Sequence, residues 1–450
     1  MTEHVLVQGS TSGGITDVVP VSIVRPATPT STSASASASA SPHPTRFPAV
    51  VWLHGTGDDS GGMMGDLASL ARRGYLAVSF DLRYHGVRAV PSEGAAAVDG
   101  ALPGALAHLT PRDVYQRELL AVFCGSSTER PFLLDPAWDT MAVVDYLSTR
   151  NDVDHDRIGV GGISLGGMIA WIVGALDPRV AVVLPILGIQ HWQWAVEVPG
   201  DTSTSASASA SPPRSSSSLS PDGSGVVSDR YRGRVESLSG FFDAAAATQN
   251  KKHVDVALVR DVWHRLLPHL VSNPAHGSRS NLSETTSLRP DLDLEDRRAT
   301  LRPAADEASS ASSWSWDTPF SLPWLAPRPL CIITGELDPR CPLPGLAAAL
   351  PRVEEAYRAA GVPELLHVAV FQGAGHEYTP MMRTFANAFL DTYLLCPTQD
   401  EEKETHRSPP VFPPPVVGVT GVRATSPGRL SNRTHRAVLE ERPSMHLYRG

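Results

Sequence analysis

Along the chain, short runs dominated by Val, Ile and Leu alternate with stretches in which apolar residues recur every three or four positions. That alternation predicts crossover helices between the strands of a mostly parallel sheet. The runs His4–Gln8 and Val18–Val24 lie close enough to form a hairpin, and Ala49–Leu53, Leu76–Phe80, Arg157–Gly161, Val180–Leu187, Leu330–Thr334 and His367–Phe371 read as further strands. Helical periodicity covers Met64–Arg73, which stops at Gly74, and Leu165–Val173, Leu346–Ala360 and Met381–Leu395. A further helix runs to Thr149, with Asp139 or Thr140 as its cap and Met141, Val144 and Leu147 on its buried stripe. The alternation breaks over 188–272, where Trp192, Trp194, Tyr231, Phe241, Phe242 and Trp263 accompany helical stretches near 234–247 and 254–270. The architecture expected is α/β: an eight-stranded, mostly parallel sheet flanked by helices, with a helical cap inserted after the sixth strand.

Four tracts stand outside this pattern: the Ser-Ala repeat 29–45, the Ser-rich 200–226, the polar 273–313 and the Pro-rich 397–450. They lack the apolar area that offsets the entropy of ordering a chain, so they predict disordered interruptions. The 450 residues then divide into a hairpin at 1–28, a first core part at 46–187, the cap at 188–272 and a second core part at 314–396. A net charge of −9 argues against nucleic acid or a polybasic membrane contact as partner, since both need a clustered basic footprint. No stretch approaches the ~18 consecutive apolar residues of a membrane span. The start Met1-Thr2-Glu3-His4 has neither the basic nor the apolar region of an export signal, so a cytoplasmic setting is expected, with the sequons at Asn281 and Asn432 bare. Cys124, Cys331, Cys341 and Cys396 show no Cys-x-x-Cys spacing, which suggests neither a disulfide framework nor a zinc site.

The chemistry concentrates in Gly161-Gly162-Ile163-Ser164-Leu165-Gly166-Gly167. A G-x-S-x-G match between an apolar strand and an apolar helix is a nucleophile elbow, in which small neighbours let the chain turn sharply and expose the serine hydroxyl. Such a serine needs a base, and the base needs an orienting carboxylate, in the chain order serine, acid, histidine. Asp338, in Gly335-Glu336-Leu337-Asp338-Pro339, and His376, in Gly373-Ala374-Gly375-His376-Glu377, each follow a strand and meet that order; Glu336 is the competing acid. The oxyanion needs two donors: the Leu165 N–H at the start of the helix, and Thr56 N–H or alternatively Gly57 N–H in the loop His54-Gly55-Thr56-Gly57-Asp58-Asp59. His54 reads as structural, and Asp81-Leu82-Arg83-Tyr84-His85-Gly86 as a hydrogen-bonded loop anchor at the same sheet edge, with contact of Arg83 or His85 to substrate as the competing account. Trp192, Trp194 and Phe242 are candidates for lining an acyl pocket, with packing of the cap onto the core as the competing account. Asp66, Asp113 and Asp145 read as solvated helix faces. There is no H-E-x-x-H, no Walker P-loop and no dinucleotide fingerprint, so no metal, nucleotide or other cofactor is expected.

Taken together, Thr56–Gly62, Phe80–Gly86, Gly162–Gly166, Gly335–Pro339 and Gly375–Pro380 resemble the α/β-hydrolase superfamily, nearest the dienelactone hydrolase, acetyl-xylan-esterase and prolyl-oligopeptidase-like branch. The resemblance spans 46–200, 228–272 and 314–395. It implies a cofactor-free serine hydrolase acting on esters, thioesters or peptides through Ser164, Asp338 and His376. Dienelactone hydrolases proper commonly carry a cysteine nucleophile, so Ser164 moves the expectation toward an esterase of small-molecule esters. An acyl thioesterase, a serine peptidase, or a catalytically idle receptor of the same fold is the alternative.

Overall fold

Eight strands form one sheet: β1 (Thr2–Ser12), β2 (Ile15–Val24), β3 (Phe47–Leu53), β4 (Leu76–Phe80), β5 (Val153–Ile163), β6 (Val180–Ile186), β7 (Leu330–Gly335) and β8 (Leu366–Phe371). In this computed structural model the described residues are 2–12, 15–26, 46–91, 109–127, 130, 132–197, 238–267 and 317–395. The four low-complexity tracts, Tyr231 and Cys396 lie outside them. The strand order is β1-β2-β4-β3-β5-β6-β7-β8. β1 pairs antiparallel with β2, and β2 antiparallel with β4, while β4, β3, β5, β6, β7 and β8 run parallel in succession. This is the α/β-hydrolase fold. No helix among the described residues is long and apolar enough to cross a membrane.

The near-continuous apolar runs follow from burial on both faces, because successive strand residues point to opposite sides. Ala49, Val51 and Leu53 of β3 enter one core, with the helices Leu134–Ser148 and Leu165–Leu176, while Val50 and Trp52 enter the other, against the helices Met64–Arg73 and Pro380–Leu390. β7 divides the same way, Leu330 and Ile332 to one side and Cys331 and Ile333 to the other.

Several elements differ from the sequence expectation. A helix at Pro111–Phe123 was not foreseen; Thr110 and Asp113 close a capping box at its start, so Asp113 is a cap partner and not merely a solvated face. Asp66 and Asp145 are likewise engaged, by Arg383 at 2.6 Å and Arg179 at 2.8 Å. The helix expected to start at Asp139 or Thr140 starts instead at Leu134, which places Asp139 inside it. Asp139 is fully buried, and its carboxylate accepts from Arg83 Nε at 3.1 Å and Arg88 Nη2 at 2.9 Å; Arg88 also pairs with Asp17 of β2. The charges are tolerated in the interior because each is matched, and the cluster ties the loop after β4 to a helix and a neighbouring strand. Removing one partner leaves the others desolvated and short of compensation. Asp139→Ala is therefore expected to cost about 3 kcal/mol in urea unfolding, and a loss under ~1 kcal/mol would show that the network contributes little.

Candidate active site

Ser164 sits between β5 and the helix Leu165–Leu176 with φ 55° and ψ −115°, a backbone conformation uncommon for any residue but glycine. Its N–H donates to Ile186 O at 2.8 Å, and its carbonyl accepts from Met168 N–H at 2.9 Å, so the turn is held from both sides. The flanking glycines are required by contact, since a methyl group on Gly166 would lie 2.4 Å from Leu53 O and one on Gly162 would lie 2.6 Å from the Gly166 carbonyl carbon. The sharp turn and the close backbone approach together lift the hydroxyl off the sheet edge.

The loops after β7 and β8 bring the acid and the base to it. His376 Nε2 stands 2.8 Å from Ser164 Oγ, while Nδ1 lies 2.9 and 2.8 Å from the two carboxylate oxygens of Asp338. With Nδ1–H donating to the carboxylate, Nε2 is left as the acceptor that faces the serine hydroxyl. Asp338 is itself buried and further fixed by the N–H groups of Arg340 at 2.8 Å and Cys341 at 3.1 Å. Glu336, the competing acid, instead accepts from Gly373 N–H and stays exposed.

Asp338, Cys341 and His376 place donor atoms within 4.8 Å of one another, a spacing compatible with a metal ion. Burial, with the Asp338 charge adding to it, pushes the Cys341 thiol well above its usual range, and that thiol donates to Leu187 O at 3.1 Å. The set thus consists of a protonated thiol and a histidine already turned toward a hydroxyl, which fits proton transfer better than metal ligation.

On the other side of the hydroxyl lies the loop after β3, where a methyl group on Gly55 would stand 3.4 Å from Ser164 Cβ. Leu82 N–H donates to His54 Nε2 at 2.9 Å, so the proton of this imidazole is on Nδ1, which donates to Gly55 O at 2.9 Å. Gly55 C=O and Thr56 N–H belong to one peptide unit, and His54 therefore sets the direction of the candidate donor. Burial holds His54 below its usual range, which keeps it neutral and preserves both bonds. The loop is anchored further by Asp81, whose carboxylate accepts from Ser60 N–H and Val87 N–H, each at 2.7 Å. Leu165 N–H, first in its helix, has no acceptor in the preceding turn and lies at the positive end of the helix dipole.

The aromatic candidates separate. Trp192 is 1% and Phe242 0% exposed, and both pack with Trp263, while Trp192 also meets Phe132 and Trp171. Their ring faces are spent on one another, so their burial fits packing of the insertion onto the body and corrects the expectation of an acyl pocket there. The helices Ser239–Thr248 and Val256–Leu266 lie against the helix Pro111–Phe123, where Phe241 meets Phe123 and Arg265 bonds Phe123 O. Trp194 is half-buried beside Gly345.

No family model matches the chain. Over 49 residues it is 43% identical to a Bacillus subtilis (strain 168) protein named "Putative hydrolase YtaP", a stretch that makes up 11% of this chain and 16% of that one. The matched stretch thus spans about a sixth of the relative's length. Among solved structures it is similar to acetyl xylan esterase 1 from Thermoanaerobacterium sp. JW/SL YS485, at 14% identity and a TM-score of 0.43, with 87% of each chain covered. It is also similar to an acylaminoacyl peptidase of Pyrococcus horikoshii, at 13% identity and a TM-score of 0.41, covering 87% of this chain and 41% of that one. The roles of individual residues rest on the geometry above.

Proposed function

We propose that the chain is a serine hydrolase that cleaves carboxylic esters of small molecules through an acyl-enzyme on Ser164. The observation that carries this reading is the continuous hydrogen-bond chain from Ser164 Oγ through His376 to Asp338. Ser164 Oγ attacks the ester carbonyl carbon while His376 Nε2 takes the hydroxyl proton, and Asp338 stabilises the imidazolium that forms. Leu165 N–H and Thr56 N–H receive the negative charge that develops on the carbonyl oxygen. Collapse breaks the bond to the alcohol, which leaves with the proton returned by His376. Water, deprotonated by the same imidazole, then attacks the acyl-enzyme, and the departing Ser164 oxygen regains its proton as the acid is released.

The leaving group is selected by side chains around the triad, because acyl transfer to serine is common to esters, thioesters and amides. The test is turnover by the purified chain of p-nitrophenyl esters of graded acyl length, acyl thioesters and aminoacyl amides. Steady multiple turnover on short to medium acyl esters is expected. Turnover confined to thioesters or amides would replace the esterase reading, and stoichiometric binding with no turnover on any of them would make the chain a receptor.

A further inference from the structure

The turn that carries Asp338 leaves β7 at Gly335 and is tied on one side to the loop of His376, where Glu336 N–H donates to Phe371 O at 2.9 Å and Leu337 N–H to Ala374 O at 2.8 Å. On its other side it meets the end of β6 through the side chain of Cys341. This residue, three positions after the acid, donates its N–H to Asp338 Oδ1 at 3.1 Å and its thiol to Leu187 O at 3.1 Å. Its backbone thus holds the carboxylate while its side chain holds a neighbouring strand end.

That strand end also anchors Ser164. Ile186 O accepts from Ser164 N–H at 2.8 Å, and a methyl group on Gly188 would lie 2.5 Å from the carbonyl carbon of Gly167, three residues beyond the serine. Between these two contacts Leu187 has φ +50°, a region that residues other than glycine seldom occupy. Its N–H donates to Ile333 O at 2.7 Å and its carbonyl receives the thiol, so the uncommon conformation is held at both polar groups. A weaker grip on Leu187 O therefore reaches Ser164 through Ile186 and the Gly188–Gly167 contact.

The thiol suits this task. It is buried, and burial together with the Asp338 charge keeps it protonated, hence a donor. Sγ and a polar atom of each of Asp338 and His376 lie within 4.8 Å of one another, so a displacement here falls directly on the hydrogen-bond chain to Ser164.

We propose that Cys341 is a positioning residue: its thiol locks the turn of Asp338 to the strand end that holds Ser164, and so keeps acid and nucleophile at one fixed separation on either side of His376. This inference rests on the ester-hydrolase reading of Ser164, and the experiment lets the two fail separately.

The test compares Cys341→Val, which fills the space without a donor, with Cys341→Ser, which keeps a donor in a smaller side chain, and with Cys341→Ala, which keeps neither. For each, kcat and KM are measured on p-nitrophenyl butyrate, alongside the rate of Ser164 labelling by a small fluorophosphonate and the melting temperature. Misplacing reacting groups by ~1 Å can cost about 10²-fold, and Cys341 is one of several anchors, so Cys341→Val and Cys341→Ala are expected to lower kcat and the labelling rate about tenfold. KM should stay within about twofold, because the loss falls on the reacting geometry and not on ground-state binding. Cys341→Ser is expected to recover most of both rates. An active Cys341→Val beside an impaired Cys341→Ser would make the residue a space-filler, and equal rates in all variants would make the thiol dispensable; either overturns the inference. So would failure of Cys341→Val and Cys341→Ala to fold, which would make the thiol a support of the whole fold. A parent chain that neither turns over the ester nor labels at Ser164 would overturn the hydrolase reading as well.

Discussion

Ser164→Ala is expected to lower kcat/KM for ester hydrolysis by about 10⁴-fold or more while leaving the thermal unfolding profile close to that of the parent chain. The size follows from the geometry: the only oxygen within hydrogen-bond distance of His376 Nε2 among the described residues is Ser164 Oγ, so its removal leaves the base without a nucleophile to activate. Triad members act as a unit, and what remains after losing one comes from the oxyanion donors and substrate binding alone. The fold should tolerate the change because Ser164 holds its turn through backbone groups, the N–H to Ile186 O and the carbonyl to Met168 N–H, and not through its side chain. Steady-state kinetics on a short-chain p-nitrophenyl ester, alongside calorimetry, gives both readings; a loss of less than about tenfold would place the chemistry elsewhere.

Gly166→Ala should have the second largest effect, and it should act on stability and activity together. The added methyl group would lie 2.4 Å from Leu53 O, 2.6 Å from Leu53 C and 2.7 Å from His54 O. All three are backbone atoms of β3 and the residue after it, so no side chain can swing away to make room, and either the helix Leu165–Leu176 or the strand end must shift. Overpacking against backbone costs about 3 kcal/mol, and the shift displaces Ser164, Leu165 and Gly55 from one another. The expected result is a clearly lowered melting temperature with loss of most ester turnover. An alanine variant with unchanged melting temperature and rate would show that the close approach of helix and strand is dispensable.

The meeting of Ser164, Asp338 and His376 was legible in the sequence because each of the three follows an apolar run closely. β5, β7 and β8 end within a few residues of Ser164, Asp338 and His376, so a parallel sheet brings all three to one edge whatever the chain between them does. The choice of Asp338 over Glu336 was also readable, from the shorter side chain next to Pro339 in a fixed turn; in the structure that carboxylate meets His376 and is held by the Arg340 and Cys341 N–H groups. Helices with a mixed pattern were not. In Pro111–Phe123 the residues Gln116, Arg117 and Glu118 are buried alongside Leu119 and Leu120, which blurs any apolar stripe; the available signal was Thr110-Pro111-Arg112-Asp113, a capping box with proline at the first turn. Asp139 misled for a related reason, because an acidic residue at the edge of an apolar stretch resembles a cap until its interior partners Arg83 and Arg88 are known. The acyl-pocket expectation for Trp192 and Phe242 failed because large aromatic residues near an insertion look alike whether they line a cavity or fill one.

His54 holds the loop after β3 through its own hydrogen bonds. A histidine before a glycine carries little sequence information, yet its two hydrogen bonds, to Leu82 N–H and Gly55 O, orient the peptide that carries Thr56 N–H, the donor proposed for the oxyanion. A neutral, buried ring fixes that peptide in advance, as the proposed stabilisation of charge on the substrate requires.

The central claim, that Ser164 is the nucleophile of a working triad, is tested most directly by reacting the purified chain with a small fluorophosphonate and locating the adduct by peptide mass spectrometry. One adduct per chain is predicted, on the peptide that contains Ser164, forming far more slowly in His376→Ala and blocked by prior incubation with a slowly hydrolysed ester. An adduct on any other residue, or an unmodified Ser164 in a chain that continues to turn over esters, would contradict the account.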